Sequence, residues 1–222
     1  MRATALVVFD FDGTLSRGPT ICEVLAESLS KLPRMKEFEL LKTKVEIAAA
    51  REEMAPWWDS MSEEDIAKAL QGIRLAPGRK EAFSLLRKHD VVIAIASISC
   101  RFAIEHFAKA WEVEHYIGTG TSETGDIEHV WAEDKAKFLH CLSSELGLPQ
   151  SRTATVGDSS GDFDMLNVAG EPIFVGTSTA QCAESWKHMP NANILEIAEY
   201  LIERWQLKPN KRLQSDAALP RT

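Results

Sequence analysis

A short apolar run, Leu6-Val7-Val8-Phe9, stops on Asp10-Phe11-Asp12-Gly13-Thr14-Leu15. β-Branched and aromatic residues in such a run predict a buried strand, and the glycine and threonine after it predict a turn. Ligands of open α/β sheets bind beyond the carboxyl ends of the strands, so the two acids fall where such a fold does its chemistry. Alternate strand residues face the same way, which aims both carboxylates at one cavity. Buried without partners they would be costly, and a metal ion or a cationic group is the usual remedy. The competing interpretation is a strand end whose acids only cap nearby backbone N–H groups.

The rest of the chain supports an α/β architecture, a Rossmann-like three-layer sandwich with a mostly parallel sheet. Val91 to Ala96 has the continuous apolar character of a strand buried on both faces and ends on Ser97. Further strands are predicted near 115–118, 153–156 and 172–175, with helices over 79–88, 101–110, 134–146, around Met165-Leu166, over 180–186 and over 194–205. Glu123-Thr124-Gly125-Asp126 marks the turn of a small hairpin. Strands alternating with helices predict a sheet covered on both sides.

Between Ser16 and Leu75 no strand is predicted. One helix starts at Pro19-Thr20 and ends at Pro33, a second covers 36–53, a third covers 63–72, and Met54-Ala55-Pro56-Trp57-Trp58 connects the last two. An all-helical insertion directly after the first strand reads as a cap over that strand's carboxyl end, able to exclude water and touch the non-reacting part of a substrate. The resulting division is 1–15 and 76–205 for the core, 16–75 for the helical cap, and 206–222 for a tail with little to bury, expected to be disordered.

Three more positions carry chemistry. Gly157-Asp158-Ser159-Ser160-Gly161-Asp162 follows a β-branched strand, and its acids would complete an oxygen-rich site for a hard divalent cation, Mg²⁺ where the substrate is a phosphate. The same residues are also ordinary turn formers. Ser97 can donate to an anionic oxygen or cap a helix, and Ser99 competes for either role. Lys135 opens a helix, with Lys137 two residues away as its rival. Asp164 is expected to face solvent.

The net charge of −8 over 222 residues argues against a general nucleic-acid or anionic-membrane binder. Cys22, Cys100, Cys141 and Cys182 show no metal-ligand or CxxC spacing and read as isolated buried thiols in a reducing compartment. The N-terminal apolar run is too short for a signal peptide or membrane span, so the cytoplasm is expected.

Taken together, Asp10-Phe11-Asp12-Gly13-Thr14, Ser97, Lys135 and Gly157-Asp158 with Asp162 resemble, in order, the four motifs of the haloacid dehalogenase-like phosphohydrolases, over roughly Val7 to Gly176. The chain looks most like the branch that includes the phosphoserine phosphatases, with a helical cap after the first motif. The resemblance implies a Mg²⁺-dependent phosphomonoesterase acting on a small phosphorylated metabolite. Asp10 would be the nucleophile and Asp12 the general acid and base. Mg²⁺ would sit between Asp10, the backbone carbonyl of Asp12 and Asp158, with Asp162 orienting its waters. Ser97 and Lys135 would hold the phosphoryl oxygens.

Departures concern the substrate. Pro19 stands where phosphoserine phosphatases carry a glutamate, with Glu23 one helical turn later; Ile98 and Ser99 replace two glycines, and Gly161 replaces an asparagine. In the cap, Arg51, Met54, Trp57 and Trp58 are the substrate-contact candidates, with a packed cap core as the other interpretation. The alternatives are a phosphomutase or phosphotransferase with the same intermediate, a phosphoprotein phosphatase, and a non-catalytic binding protein. Either a monomer or a homodimer is compatible with the sequence.

Overall fold

The computed structural model describes residues 3–210. Its organising strand is β1 (Ala5–Phe9), every residue of which is buried. The chain then forms β2 (Ser16–Arg17), α1 (Ile21–Ser28), α2 (Leu32–Phe38), α3 (Lys44–Asp59), α4 (Glu63–Leu70) and β3 (Arg74–Leu75). It continues through α5 (Arg79–Lys88), β4 (Val91–Cys100), α6 (Arg101–Ala110), β5 (His115–Thr121), β6 (Ile127–Glu128) and α7 (Ala132–Glu145). Last come β7 (Thr153–Gly157), α8 (Phe163–Val168), β8 (Glu171–Phe174), β9 (Lys187–His188) and α9 (Ile194–Trp205).

Seven strands form one sheet in the order β6-β5-β4-β1-β7-β8-β9. All pairings are parallel except β5 with β6, the predicted hairpin. The two-residue period of β1 divides the core. Ala5, Val7 and Phe9 face a layer that includes Phe83 and Leu86 of α5, Ile104 of α6 and Ile197 and Leu201 of α9. Leu6 and Val8 face Leu139 and Leu142 of α7 and Met165 of α8. Each β1 side chain is thus removed from water, and β1 is sandwiched between β4 and β7, so its carboxyl end is fixed from both sides.

Several boundaries differ from the sequence expectations. The segment 16–75 does contain strands: β2 and β3, the two ends of the helical insertion, pair antiparallel. Pro33 does not end α1; it lies in the first turn of α2, where its missing N–H costs nothing. Met54 to Trp58 is the last part of α3 rather than a connection, and Pro56 is carried inside that helix. The predicted helix over 180–186 is a single turn at Thr179–Gln181 followed by β9. β4 runs past Ser97 to Cys100, with its register to β5 shifting between Ala96 and Cys100. In the predicted tail, Leu207 packs on the core and Asn210 bonds the Lys88 carbonyl (2.8 Å) and Asp90; 211–222 lies outside the described residues.

The helices between β2 and β3 have their own small core of Ala26, Met35, Phe38, Ala50 and Met54. They stand over the carboxyl end of β1 and are tied to the sheet layer by α3: Lys44 pairs with Glu133, and the Arg51 guanidinium lies 4.4 Å from the Trp131 ring centre.

Candidate active site

Asp10 follows the last residue of β1 in extended conformation, and the chain turns sharply after it. Gly13 makes the turn possible in two ways. Its φ of 86° lies in the left-handed region, and a β-carbon there would come within 2.2 Å of Asp158 Oδ2. The turn after β1 and the one after β7 therefore touch, which brings the two acid pairs into one site.

At its centre is a buried ammonium. Lys135, in the first turn of α7 and 1% exposed, donates to Asp10 Oδ1 at 2.6 Å and Asp162 Oδ1 at 2.7 Å. Burial by itself would lower the Lys135 pKa; the two carboxylates outweigh it and raise it. Lys137, the rival candidate, is exposed and pairs with Asp134. Asp162 uses its other oxygen to accept the N–H groups of Asp158 (3.0 Å) and Ser159 (3.1 Å). It thus fixes both the lysine and the loop carrying Asp158. Asp164, two residues on, is exposed.

The site has an excess of acid. Burial, with the neighbouring Asp162, raises Asp10 well above the usual carboxylate range, and the same two causes push Asp158 up to about 6. Asp158 Oδ1 is buried without a hydrogen-bond partner. Asp10, Asp158 and Asp162 each offer an oxygen within 4.8 Å of the others. Three carboxylates against one ammonium, with an orphaned buried oxygen among them, are a donor set that fits a hard divalent cation.

The Asp12 carboxylate stands outside that cluster. Its Oδ1 accepts the N–H of Ile21 at 2.8 Å, from the first turn of α1, and its Oδ2 accepts the Ser99 hydroxyl. Burial raises its pKa against both bonds. Ser97, 1% exposed, accepts the N–H of Ser99 at 3.1 Å. Both serines line the chamber and neither caps a helix; Ser99 is the one that donates to a carboxylate, Asp12. The N-cap of α6 is Cys100.

Asp10, Asp12, Ser97, Lys135 and Asp158 line a chamber of about 350 Å³ under the helical cap. Arg51 and Met54 line it too. Glu23 is not among its lining residues: its carboxylate accepts the Thr20 N–H at 2.9 Å and closes the N-terminus of α1. Trp57 stacks on Phe38 and meets Trp58 edge-on inside the cap core. Trp58 lines an adjoining cavity. Sequence reasoning missed Glu39, Met35, Phe38 and Ile47, which also line the chamber. The break between α2 and α3 turns them inward, and the single helix predicted over 36–53 concealed it.

A mostly parallel α/β sheet with helices on both faces and clustered acids beyond its central strands defines the class: a Rossmann-like fold with an acid-rich site. The haloacid dehalogenase-like hydrolase family model matches residues 7–167, and the chain belongs to that family. It is 25% identical to the phosphoserine phosphatase of Idiomarina loihiensis over 219 residues, 94% of this chain and 98% of that protein. It is 26% identical to phosphoserine phosphatase SerB2 of Mycobacterium tuberculosis over 179 residues, 76% of this chain. There it spans only 43% of the relative's length. A structure described as a phospho-aspartyl intermediate analogue of phosphoserine phosphatase superposes with a TM-score of 0.72 at 20% identity, covering 89% of this chain and 99% of that one. Within the family the chain stands with the phosphoserine phosphatase-like branch, and it is an enzyme of the phosphatase type. Among the described residues, no helix is long and apolar enough to cross a membrane.

Proposed function

We propose that this protein is a Mg²⁺-dependent phosphomonoesterase for a small phosphorylated metabolite, working through an aspartyl-phosphate on Asp10. The observation that carries the proposal is the buried Lys135 ammonium bridging Asp10 and Asp162 beside the unpartnered Asp158 oxygen. Asp10 and Asp158, with the Asp12 carbonyl, would hold the cation, which when bound offsets negative charge on the transferring group. Asp10 attacks phosphorus while the bond to the leaving oxygen breaks, and Asp12 delivers its proton to that oxygen. Asp12 then takes a proton from the water that hydrolyses the acyl phosphate, which restores both groups. Lys135, Ser97 and the N–H groups after Asp10 stabilise the phosphoryl oxygens throughout.

The leaving group is small and polar at one end. Among the described residues no carboxylate pairs with Arg51, whose hydrogen bonds go to His129 and to the Ile98 and Val130 carbonyls. Glu39 supplies an acid at the chamber's rim. One cation and one acid above the phosphate end support a phosphorylated amino acid, and phosphoserine is the first compound to try. We place the enzyme in the cytoplasm, where its thiols are reduced in the absence of an oxidant.

The test is phosphate release from a panel of small phosphomonoesters, with Mg²⁺ or with EDTA, for wild type and Asp10→Asn. We expect Mg²⁺-dependent release from one or a few compounds and a loss of at least about a thousandfold in the variant. Turnover unaffected by either EDTA or the substitution refutes the mechanism. Transfer to added alcohols in preference to water would establish the phosphotransferase alternative.

A further inference from the structure

The four cysteines are not all isolated. Cys22, in the first turn of α1, and Cys100, at the end of β4, bring their sulfurs to 3.7 Å although 78 positions separate them. Cys22 belongs to the helical insertion and Cys100 to the sheet. Their immediate neighbours, Ile21 and Ser99, are the two donors that hold the Asp12 carboxylate. The thiol pair therefore lies directly behind the catalytic acid, at the junction of cap and core.

The surroundings favour oxidation. Cys22 is partly exposed and lines the catalytic chamber, so a small solute can reach it. Cys100 is 8% exposed; contact with Cys22 and burial raise its pKa. At Cys100 the Asp12 charge raises the pKa and Arg51 lowers it, so the pair's reactivity rests on the accessible Cys22 and the short distance between the sulfurs. Closing from 3.7 Å to a bond of about 2.05 Å asks for roughly 1.6 Å of movement. β4 has already left its ladder with β5 between Ala96 and Cys100, so the backbone there has slack.

We propose that Cys22 and Cys100 are an oxidative modification site, joined by peroxide into a disulfide that locks the cap onto the core and stops turnover. Peroxide oxidises the Cys22 thiol to a sulfenic acid and leaves as water. The Cys100 sulfur then attacks the Cys22 sulfur, the S–O bond breaks, and the hydroxyl departs with the Cys100 proton as a second water. A dithiol reductant reverses the bond by exchange. The effect on turnover rests on the phosphatase proposal; the bond does not.

The test treats the full-length protein with hydrogen peroxide and follows peptide mass, thermal unfolding and phosphate release, each variant being compared with its own reduced form. Expected are a peptide pair linked through Cys22 and Cys100, a Tm raised by several degrees because the link closes a long loop, and at least a tenfold loss of turnover reversed by dithiothreitol. Cys100→Ala should keep its reduced-form rate and Tm under the same treatment, and Cys141→Ser with Cys182→Ser should behave as wild type. No linked peptide, or a linked protein with undiminished turnover, overturns the proposal, as does equal inactivation of Cys100→Ala. Should no phosphomonoester be turned over at all, the linked peptide and the Tm shift still decide the bond.

Discussion

Replacing Lys135 by methionine keeps most of the buried stem and removes the charge. The ammonium makes two ion pairs, at 2.6 Å and 2.7 Å, with carboxylates no more than 6% exposed. Removing one partner from a buried pair costs about 3–5 kcal/mol, because the remaining charge has no compensation. Here Asp10 and Asp162 both lose their partner, beside a third acid, Asp158, that keeps only Arg17. With a urea m-value of about 2–3 kcal/mol/M for a chain of this size, the metal-free variant should unfold at roughly 1–2.5 M less urea at pH 8. The sign of the pH dependence follows from the raised carboxyls. Asp10 and Asp158 bind protons more tightly folded than unfolded, so stability falls as pH rises from the unfolded value of 3.8 through the folded one, about 6 for Asp158. Without Lys135 these groups rise further, so the gap between variant and wild type should narrow at pH 5. Urea titrations with EDTA at both pH values check this. A gap below about 1 kcal/mol, or an equal gap at both pH values, would mean that Lys135 contributes only packing and would refute the electrostatic reasoning.

Gly13→Ala forces a side chain into a left-handed turn and against Asp158; a stability loss of at least about 1 kcal/mol and loss of Mg²⁺-dependent turnover are expected by urea unfolding and phosphate assay. Mg²⁺ at a hundred times its Kd should stabilise wild type by about 2.7 kcal/mol, and Asp158→Asn should abolish this. Because Asp158 must lose its proton, calorimetric Mg²⁺ affinity should rise with pH through about 6. Ser99→Ala removes a bond that lowers the Asp12 pKa, so the Asp12 limb of the pH–rate profile should move to higher pH. Trp131→Ala takes away the ring that both Arg51 and Lys44 approach; a loosened cap worth about 1 kcal/mol should appear as a several-fold rise in KM.

The core of the fold was legible because its signals are local. Val91 to Ala96 and Leu6 to Phe9 could only be buried strands, and helix 194–205 has its predicted bounds. The helical insertion was legible as a kind of structure but not in its breaks: Pro33 and Pro56 read as stops, yet one sits in a helix's first turn and the other is carried near the end of α3. At the site, Asp10, Lys135, Asp158 and Asp162 come together as the motifs implied. Residue pattern alone did not choose between Lys135 and Lys137, because that depends on which face of α7 meets the sheet; only the motif order pointed to Lys135. Nor did the pattern show that Ser99, rather than Ser97, donates to Asp12. Cys22 and Cys100 looked unrelated because only the docking of α1 on β4 brings them together.

The two halves of the site are held by different means. Asp10, Lys135, Asp158 and Asp162 form a network within the sheet layer and its own helices, with Arg17 of β2 bearing on Asp158. Asp12 is different: one oxygen is held by Ser99 of the sheet layer and the other by Ile21 of the insertion. Lifting α1 would release one of the two bonds that lower its pKa and admit water. Asp12 thus keeps both hydrogen bonds only when the cap is docked. A substrate that draws Arg51 and Glu39 over itself would complete the proton donor in the same movement, so binding of the leaving group and readiness to protonate it are coupled through a single backbone N–H.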